Sequence, residues 1–359
     1  MQSTEKNQDG SFLLDCRLPE LMEDKTAGTK HWRARREEII RLLSQQEYGF
    51  IPPHLPANVK TTEKKHYFAG KGILETPVFG FNNQGESFEL KANLIYPDGG
   101  KQYPFFVFAN FSKDVPDKYF PAEELIDRGF GVISFFYQDV SKDENSFGEG
   151  LERLFLKQRR GGDTFGKISL WAWAMSAMLD YIFDRKLVLN NRVGAIGHSR
   201  LGKTALWAAA NDERFSFVFS NDSGCSGAAL SRNKQGETVA DITAVFPHWF
   251  CKNYLDYAGR EDELPFDQHF LLSLIAPRTL VVGAAKEDTW ADTINQYLCC
   301  KAAMPAYALY GMGGGFDDDK PVTGKKYGAN GIFFRERTGM HYLSRDDWHF
   351  YMDIMTDKI

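Results

Sequence analysis

Five short, nearly unbroken apolar runs constrain the fold of this chain more than any other feature. They are Phe105-Phe106-Val107-Phe108-Ala109, Val132-Ile133-Ser134-Phe135-Phe136, Val193-Gly194-Ala195-Ile196, Phe217-Val218-Phe219 and Thr279-Leu280-Val281-Val282. A strand with one face in water alternates apolar and polar residues. A run that stays apolar suits a strand covered on both faces, as in a parallel sheet. Helical patterns separate the runs, at Ala122 to Asp127, Ile168 to Phe183, Leu201 to Ala210 and Asp292 to Ala303. This alternation predicts βαβ units and an α/β fold, with a doubly wound, mostly parallel central sheet.

Upstream of these runs the texture changes. From about Val78 to Tyr96 the residues alternate around Asn82-Asn83-Gln84-Gly85, which predicts an N-terminal antiparallel hairpin extending the sheet. An amphipathic helix is expected from His31 to Gln46, with Ile39, Ile40, Leu42 and Leu43 as its apolar stripe. The helix breakers of Tyr48-Gly49-Phe50-Ile51-Pro52-Pro53 should end it. The first ten residues read as disordered, within a loose segment over 1–18. No repeat or linker divides the remainder, so 19–359 are expected to form one domain, a normal size for a large-sheet α/β unit. The Gly- and Asp-rich stretch Gly311 to Arg335 is expected to be a loop that lines or covers a cleft.

Composition removes several function classes. A net charge of −5 argues against a nucleic-acid-binding surface, which needs a basic stripe. No apolar run approaches the roughly 20 residues that span a bilayer, so no membrane association is expected. Cys16, Cys225, Cys251, Cys299 and Cys300 are odd in number and form no C-x-x-C pair, which predicts reduced, mostly buried thiols. The polar start Met1-Gln2-Ser3-Thr4-Glu5-Lys6 shows no signal peptide. It reads as cytoplasmic, or as secreted or periplasmic if a leader has been removed. No H-E-x-x-H or comparable spacing is present, so neither a metal nor another cofactor is expected.

The chemistry concentrates at Gly197-His198-Ser199-Arg200-Leu201-Gly202. A buried strand precedes Ser199 and a helix pattern follows it, which is the context of a nucleophile elbow in an α/β-hydrolase fold. Such a turn needs small residues, lifts the serine oxygen above the sheet, and aims backbone N–H groups at a developing oxyanion. Leu201 stands where G-x-S-x-G has its second glycine. Arg200, next to the serine, can donate to the same oxyanion.

Chain order in this fold places the acid and then the base after the nucleophile. Of the eight histidines, His341 in Arg337-Thr338-Gly339-Met340-His341-Tyr342 is the candidate base. His349 falls inside the expected C-terminal helix beginning near Ser344, and His248 belongs to an aromatic wall, Phe246-Pro247-His248-Trp249. Two carboxylates can serve as the acid. Asp288 follows the run Thr279 to Gly283 and is preferred; Asp222, after Phe217 to Phe219, is the second candidate or a supporting group.

With these residues placed, the chain resembles the glucuronoyl esterases, carbohydrate esterase family fifteen, and in particular their bacterial branch. The likeness runs from about Pro19 to the C-terminus. It rests on Gly197 to Lys203, close to the family's G-C/H-S-R-x-G-K, and on Ser223-Gly224-Cys225-Ser226-Gly227-Ala228-Ala229-Leu230-Ser231-Arg232. Gly236-Glu237-Thr238, Phe246 to Phe250, Leu264 to His269 and Leu274 to Arg278 continue it in register.

The resemblance implies hydrolysis of esters between 4-O-methyl-glucuronic acid branches of xylan and lignin alcohols, with Ser199 as nucleophile, His341 as base and Arg200 as oxyanion donor. It implies uronate contacts for Lys203, Glu237 and Trp290, with Arg232 as a further candidate. The family places its acid at either of two positions, held here by Asp222 and Asp288, so that choice stays open. Lys203, one helical turn past the serine, can hydrogen-bond sugar hydroxyls, while Trp290 can wall a pyranose ring. The competing expectations are an esterase for another acyl group, such as acetylated xylan, and a non-catalytic carbohydrate-binding relative.

Overall fold

The computed structural model describes residues 18–22, 28–100, 102–158 and 161–357. The expected disorder of the first ten residues, and nearly all of the 1–18 segment, lie outside the described residues. Ten strands form one sheet: β1 Asn58–Tyr67, β2 Gly72–Asn83, β3 Glu86–Pro97, β4 Tyr103–Asn110, β5 Gly131–Phe136, β6 Val188–His198, β7 Phe217–Asn221, β8 Thr279–Ala285, β9 Lys326–Tyr327 and β10 Ile332–Arg337. Their order is β1-β2-β3-β5-β4-β6-β7-β8-β10-β9. The pairs from β5 through β4, β6, β7 and β8 to β10 are all parallel. Antiparallel pairs flank them, β1 to β2 to β3 to β5 on one side and β9 on the other.

The apolar runs of the sequence become the parallel centre because both of their faces are covered. Along β4, Phe105, Val107 and Ala109 enter one core while Phe106 and Phe108 enter another. β8 repeats the pattern, with Leu280 and Val282 on one side and Val281 on the other. This is the strand period of two, with an apolar residue at every step. The first core holds the helices α1 Thr29–Leu43, α4 Lys167–Asp184, α5 Arg200–Asn211, α7 Gln268–Ser273 and α8 Thr293–Ala308. The second holds α2 Ala122–Asp127 and α9 Arg345–Met355. Two further helices, α3 Tyr137–Val140 and α6 Val239–Val245, sit in connections.

Several expectations are redrawn. Helix α1 passes into a π-helical turn, Ser44–Tyr48, instead of remaining α-helical to Gln46. The hairpin is longer than its alternation suggested. It spans β2 and β3, and its turn uses the positive φ of Gln84 and Gly85, the geometry that matches strand twist. Strand β1, ahead of it, is exposed along most of its length, so no apolar rhythm announced it. The stretch Gly311 to Arg335 is not simply a loop: it contains β9 and opens β10, which runs parallel to β8. None of its residues lines the cleft around Ser199. The missed signal was the brief apolar run Ile332-Phe333-Phe334. Among the described residues no helix is long and apolar enough to cross a membrane. Cys225, Cys251, Cys299 and Cys300 are buried free thiols.

Candidate active site

Ser199 sits between the end of β6 and the start of α5, at φ 57° and ψ −128°. A left-handed φ on a side-chain-bearing residue is strained and persists only where the surroundings fix it. Here the Ser199 amide donates to the Asn221 carbonyl (2.9 Å), and the Ser199 carbonyl accepts from the amides of Gly202 (2.9 Å) and Lys203 (3.2 Å). The glycines have steric reasons. A Cβ at Gly197 would lie 2.0 Å from the Leu201 carbonyl oxygen. At Gly202 it would meet Ser223 Cβ at 3.0 Å and the Asn221 carbonyl oxygen at 3.2 Å. The close approach of helix to strand therefore falls at Gly202, which frees position 201 for a buried leucine.

His341 projects from the connection between β10 and α9. Its Nδ1 lies 2.6 Å from Asp288 Oδ2, on the loop after β8. Arg337 organises this connection: its guanidinium donates to the carbonyls of Thr338 (2.9 Å), Met340 (3.2 Å) and Tyr342, and pairs with Asp347 at 2.7 Å. The His341 ring packs 4.4 Å, centroid to centroid, from the ring of His198. His198 is buried and bonded through Nδ1 to Asn221 Oδ1 (2.7 Å). Burial, helped by the nearby His341, drives the pKa of His198 well below its ordinary value, so it remains neutral beside the candidate base.

Asp222 is closer to this pair than the sequence required, but its hydrogen bonding differs. Its Oδ1 accepts from the Ala285 amide (2.8 Å), while Oδ2 is buried without a hydrogen-bond partner and lies 3.7 Å from Arg337. Burial, with the neighbouring Asp288 charge, pushes its carboxyl well above the usual range. Donor atoms of Asp222, Asp288 and His341 all lie within 4.8 Å of one another. Two carboxylates and an imidazole at that spacing would be a plausible donor set for a cation. His341 Nδ1 is already engaged by Asp288, while Asp222 Oδ2 has no hydrogen-bond partner.

The opposite side of Ser199 is built around Asp143, a residue the sequence did not single out. Its Oδ2 accepts from Arg200 Nη1 and from the Tyr137 hydroxyl (2.9 Å), and its Oδ1 accepts from His248 Nε2 (3.0 Å) and Trp249 Nε1 (2.6 Å). Burial alone would raise the Asp143 carboxyl. The His248 hydrogen bond, the Arg200 charge and the Trp249 and Tyr137 donors outweigh it and hold the group well below its ordinary value. Burial and the Asp143 charge push the Tyr137 phenol up to about 12, which keeps it a donor. The aromatic wall read from the sequence holds true, with Phe246 stacked on Trp249 at 4.0 Å. No motif announces Asp143, because its partners are far apart in sequence.

A cleft of roughly 340 Å³ joins these parts, lined by Ser199, Arg200, Lys203, Glu237, Trp290 and His341 among others, with Asp222 and Asp288 at its side. Lys203 is buried and donates to the Ser223 carbonyl; burial lowers its pKa. Trp290 is 57% exposed at the mouth, and its carbonyl accepts from the Glu237 amide (2.9 Å). Gly236 permits that contact, since a Cβ there would fall 2.4 Å from the Trp290 oxygen. Arg232 is the one site candidate that the fold takes elsewhere. It is buried away from the cleft, pairs with Asp267 (3.1 Å), and donates to the carbonyls of Phe266 (2.8 Å), Leu264 (2.6 Å) and Asp262 (3.2 Å). A guanidinium so occupied is a packing element, and the substrate contact expected of Arg232 is withdrawn.

Comparison with known proteins gives concordant likenesses. The family profile described as glucuronyl esterase, fungi, matches residues 80–311. A carbohydrate esterase from an unknown prokaryotic organism is 32% identical, covering 92% of this chain and 85% of its own length. The 4-O-methyl-glucuronoyl methylesterase of Podospora anserina is 26% identical over 80% of this chain, which spans only 58% of that protein. Among solved structures, the glucuronoyl esterase from Solibacter usitatus superposes with a TM-score of 0.88 at 29% identity, covering 95% of this chain and 97% of its own.

Proposed function

Because the chain belongs to the glucuronoyl esterase family, on its bacterial side, we propose that it hydrolyses esters of glucuronic acid through a serine acyl-enzyme. One observation carries the assignment of roles: a single cleft gathers the strained Ser199, the His341–Asp288 pair and the Arg200 guanidinium.

The geometry supports the following sequence. Asp288 accepts from Nδ1–H of His341 and fixes its tautomer, so Nε2 is the lone pair that takes the Ser199 proton. The serine oxygen attacks the uronate carbonyl carbon. The resulting oxyanion is held by the amides at the start of α5 and by the free donors of Arg200. His341 then delivers its proton to the leaving alcohol; water, deprotonated by the same imidazole, attacks the acyl carbon, and the acid leaves as the imidazolium returns its proton to the Ser199 oxygen. Asp288 stabilises the imidazolium formed in each half-reaction. Lys203 and Glu237 are suited to sugar hydroxyls, and the exposed indole of Trp290 to the pyranose face. Asp222 supports the loop carrying Asp288 through its bond to Ala285. The names of the relatives favour uronate esters over acetyl esters as substrates.

The test is hydrolysis of benzyl D-glucuronate beside acetylated xylan. The wild-type enzyme should prefer the uronate ester, and Ser199→Ala should lower kcat by about 10⁴-fold or more. Wild-type turnover in Ser199→Ala, or preference for the acetyl ester, would overturn the reading.

A further inference from the structure

We propose that Asp143 is a positioning residue for acyl transfer, fixing the Arg200 guanidinium where it can serve the oxyanion. The inference rests on the esterase reading above and extends it to a residue with no place in the motif.

Two kinds of contact hold Arg200, a hydrogen bond and aromatic stacking. Among the described residues, Asp143 provides the only hydrogen-bond acceptor for its guanidinium, at Nη1. The Nε atom is buried with no hydrogen-bond partner. The guanidinium carbon lies 4.5 Å from the ring centre of Trp249, 5.1 Å from that of Phe246 and 5.8 Å from that of Phe111. A planar cation against an aromatic face is restrained out of its plane but can still slide and turn within it. A hydrogen bond at one corner removes that freedom. Asp143 therefore supplies the in-plane restraint that the stacking lacks, and by engaging Nη1 it leaves Nη2 as the donor for a reacting oxygen.

Asp143 is itself immobilised. Its side chain is 7% exposed, against 24% for Arg200. Besides Arg200 it accepts from Tyr137, His248 and Trp249, so each oxygen has two donors. Two of these donors, His248 and Trp249, follow Phe246 in the aromatic wall, so one carboxylate fixes both the cation and the surface on which it stacks. A carboxylate serving only to tie loops together would have no need to take a donor from the residue beside the nucleophile.

The test is a double-mutant cycle in kcat and KM on benzyl D-glucuronate, with Asp143→Asn, Arg200→Ala and the double variant. Removing one oxyanion donor outright costs about 10²–10³-fold, so misaligning it by Asp143→Asn should lower kcat about 10- to 100-fold and move KM by less than about threefold. In the Arg200→Ala background the same change should alter kcat by less than about twofold, because interacting sites are non-additive. An equal loss in both backgrounds would show that Asp143 acts through the fold and overturn the proposal. A rise in kcat would overturn it too, since a carboxylate that merely diluted the arginine charge would behave that way. Should Asp143→Asn lose its cooperative unfolding transition, Tyr137→Phe replaces it in the cycle. That change withdraws one donor from the same oxygen, and its smaller loss must also vanish without Arg200. The cycle is run in parallel on 4-nitrophenyl acetate. Failure of the wild type on the glucuronate ester alone would then defeat the substrate assignment while the acetate cycle still decides the role of Asp143.

Discussion

The buried carboxylates on the two sides of Ser199 are satisfied to opposite degrees. On the arginine side, Asp143 has a donor for every need, drawn from four residues. On the histidine side, two buried carboxylates stand near one imidazole. Asp288 has His341, whereas Asp222 keeps an oxygen with no hydrogen-bond partner. A saturated carboxylate makes a rigid anchor, which suits a group that must be in place before charge develops. A crowded pair of acids leaves one ionised and pushes the other towards its neutral form. The arginine side is therefore preorganised, and the histidine side carries a carboxylate in reserve.

Asp288→Asn is expected to have the largest effect. If Asp288 alone fixes the His341 tautomer, kcat should fall by about 10³- to 10⁴-fold, with KM nearly unchanged. A loss under tenfold would mean that Asp222 takes over, and the two acids would then be equivalent.

Asp222→Asn sharpens the same contrast from the other side, through stability. The folded pKa of Asp222 is raised, by burial first and the Asp288 charge second. The native state thus retains a proton that the unfolded chain has already released. The contribution of the group is present in full below about pH 4, near its ordinary carboxylate value, and is lost as pH rises through the folded value. Asparagine removes this dependence. The variant should be more stable than wild type by about 1–2 kcal/mol at pH 8 and gain less at pH 5, measured by denaturant unfolding at both. Its kcat should stay within about tenfold of wild type. A stability loss at pH 8 would show that the ion pair with Arg337 outweighs the desolvation of the carboxylate.

The smallest effect is expected at the mouth, which neither side controls. Trp290→Ala should raise KM by about 3- to 10-fold and change kcat by less than about twofold, as expected of uniform binding. A selective fall in kcat would place the indole in contact with the transition state.

Much of this was legible in the sequence for local reasons. Five of the six parallel strands, β10 excepted, were visible because burial on both faces leaves almost no polar residue in the run. The turn at Ser199 was visible because strand, glycine, serine and helix follow one another without a gap. His341 could be placed from chain order, which left Asp288, the preferred acid, and Asp222 both open. Asp143 was not legible: its partners are Tyr137, Arg200, His248 and Trp249, brought together only by the finished fold. Strand β1 was hidden because its residues face water, and β10 because its apolar run is brief. Arg232 misled because a matching residue within a matching segment does not reveal which way its side chain points. Leu201 looked like a broken glycine, until the close approach proved to be one residue later.

The two outermost strands of the sheet have a consequence for handling the protein. An unpaired strand edge is a template for joining another chain. Here one edge is β9, only two residues long. The other is β1, whose register with β2 shifts between Thr61 and Lys64 and which carries Lys60, Glu63, Lys64 and Lys65. Short, irregular and charged edges resist lateral pairing. They favour a chain that stays dispersed when concentrated and does not seed fibrils, whatever ester it cleaves.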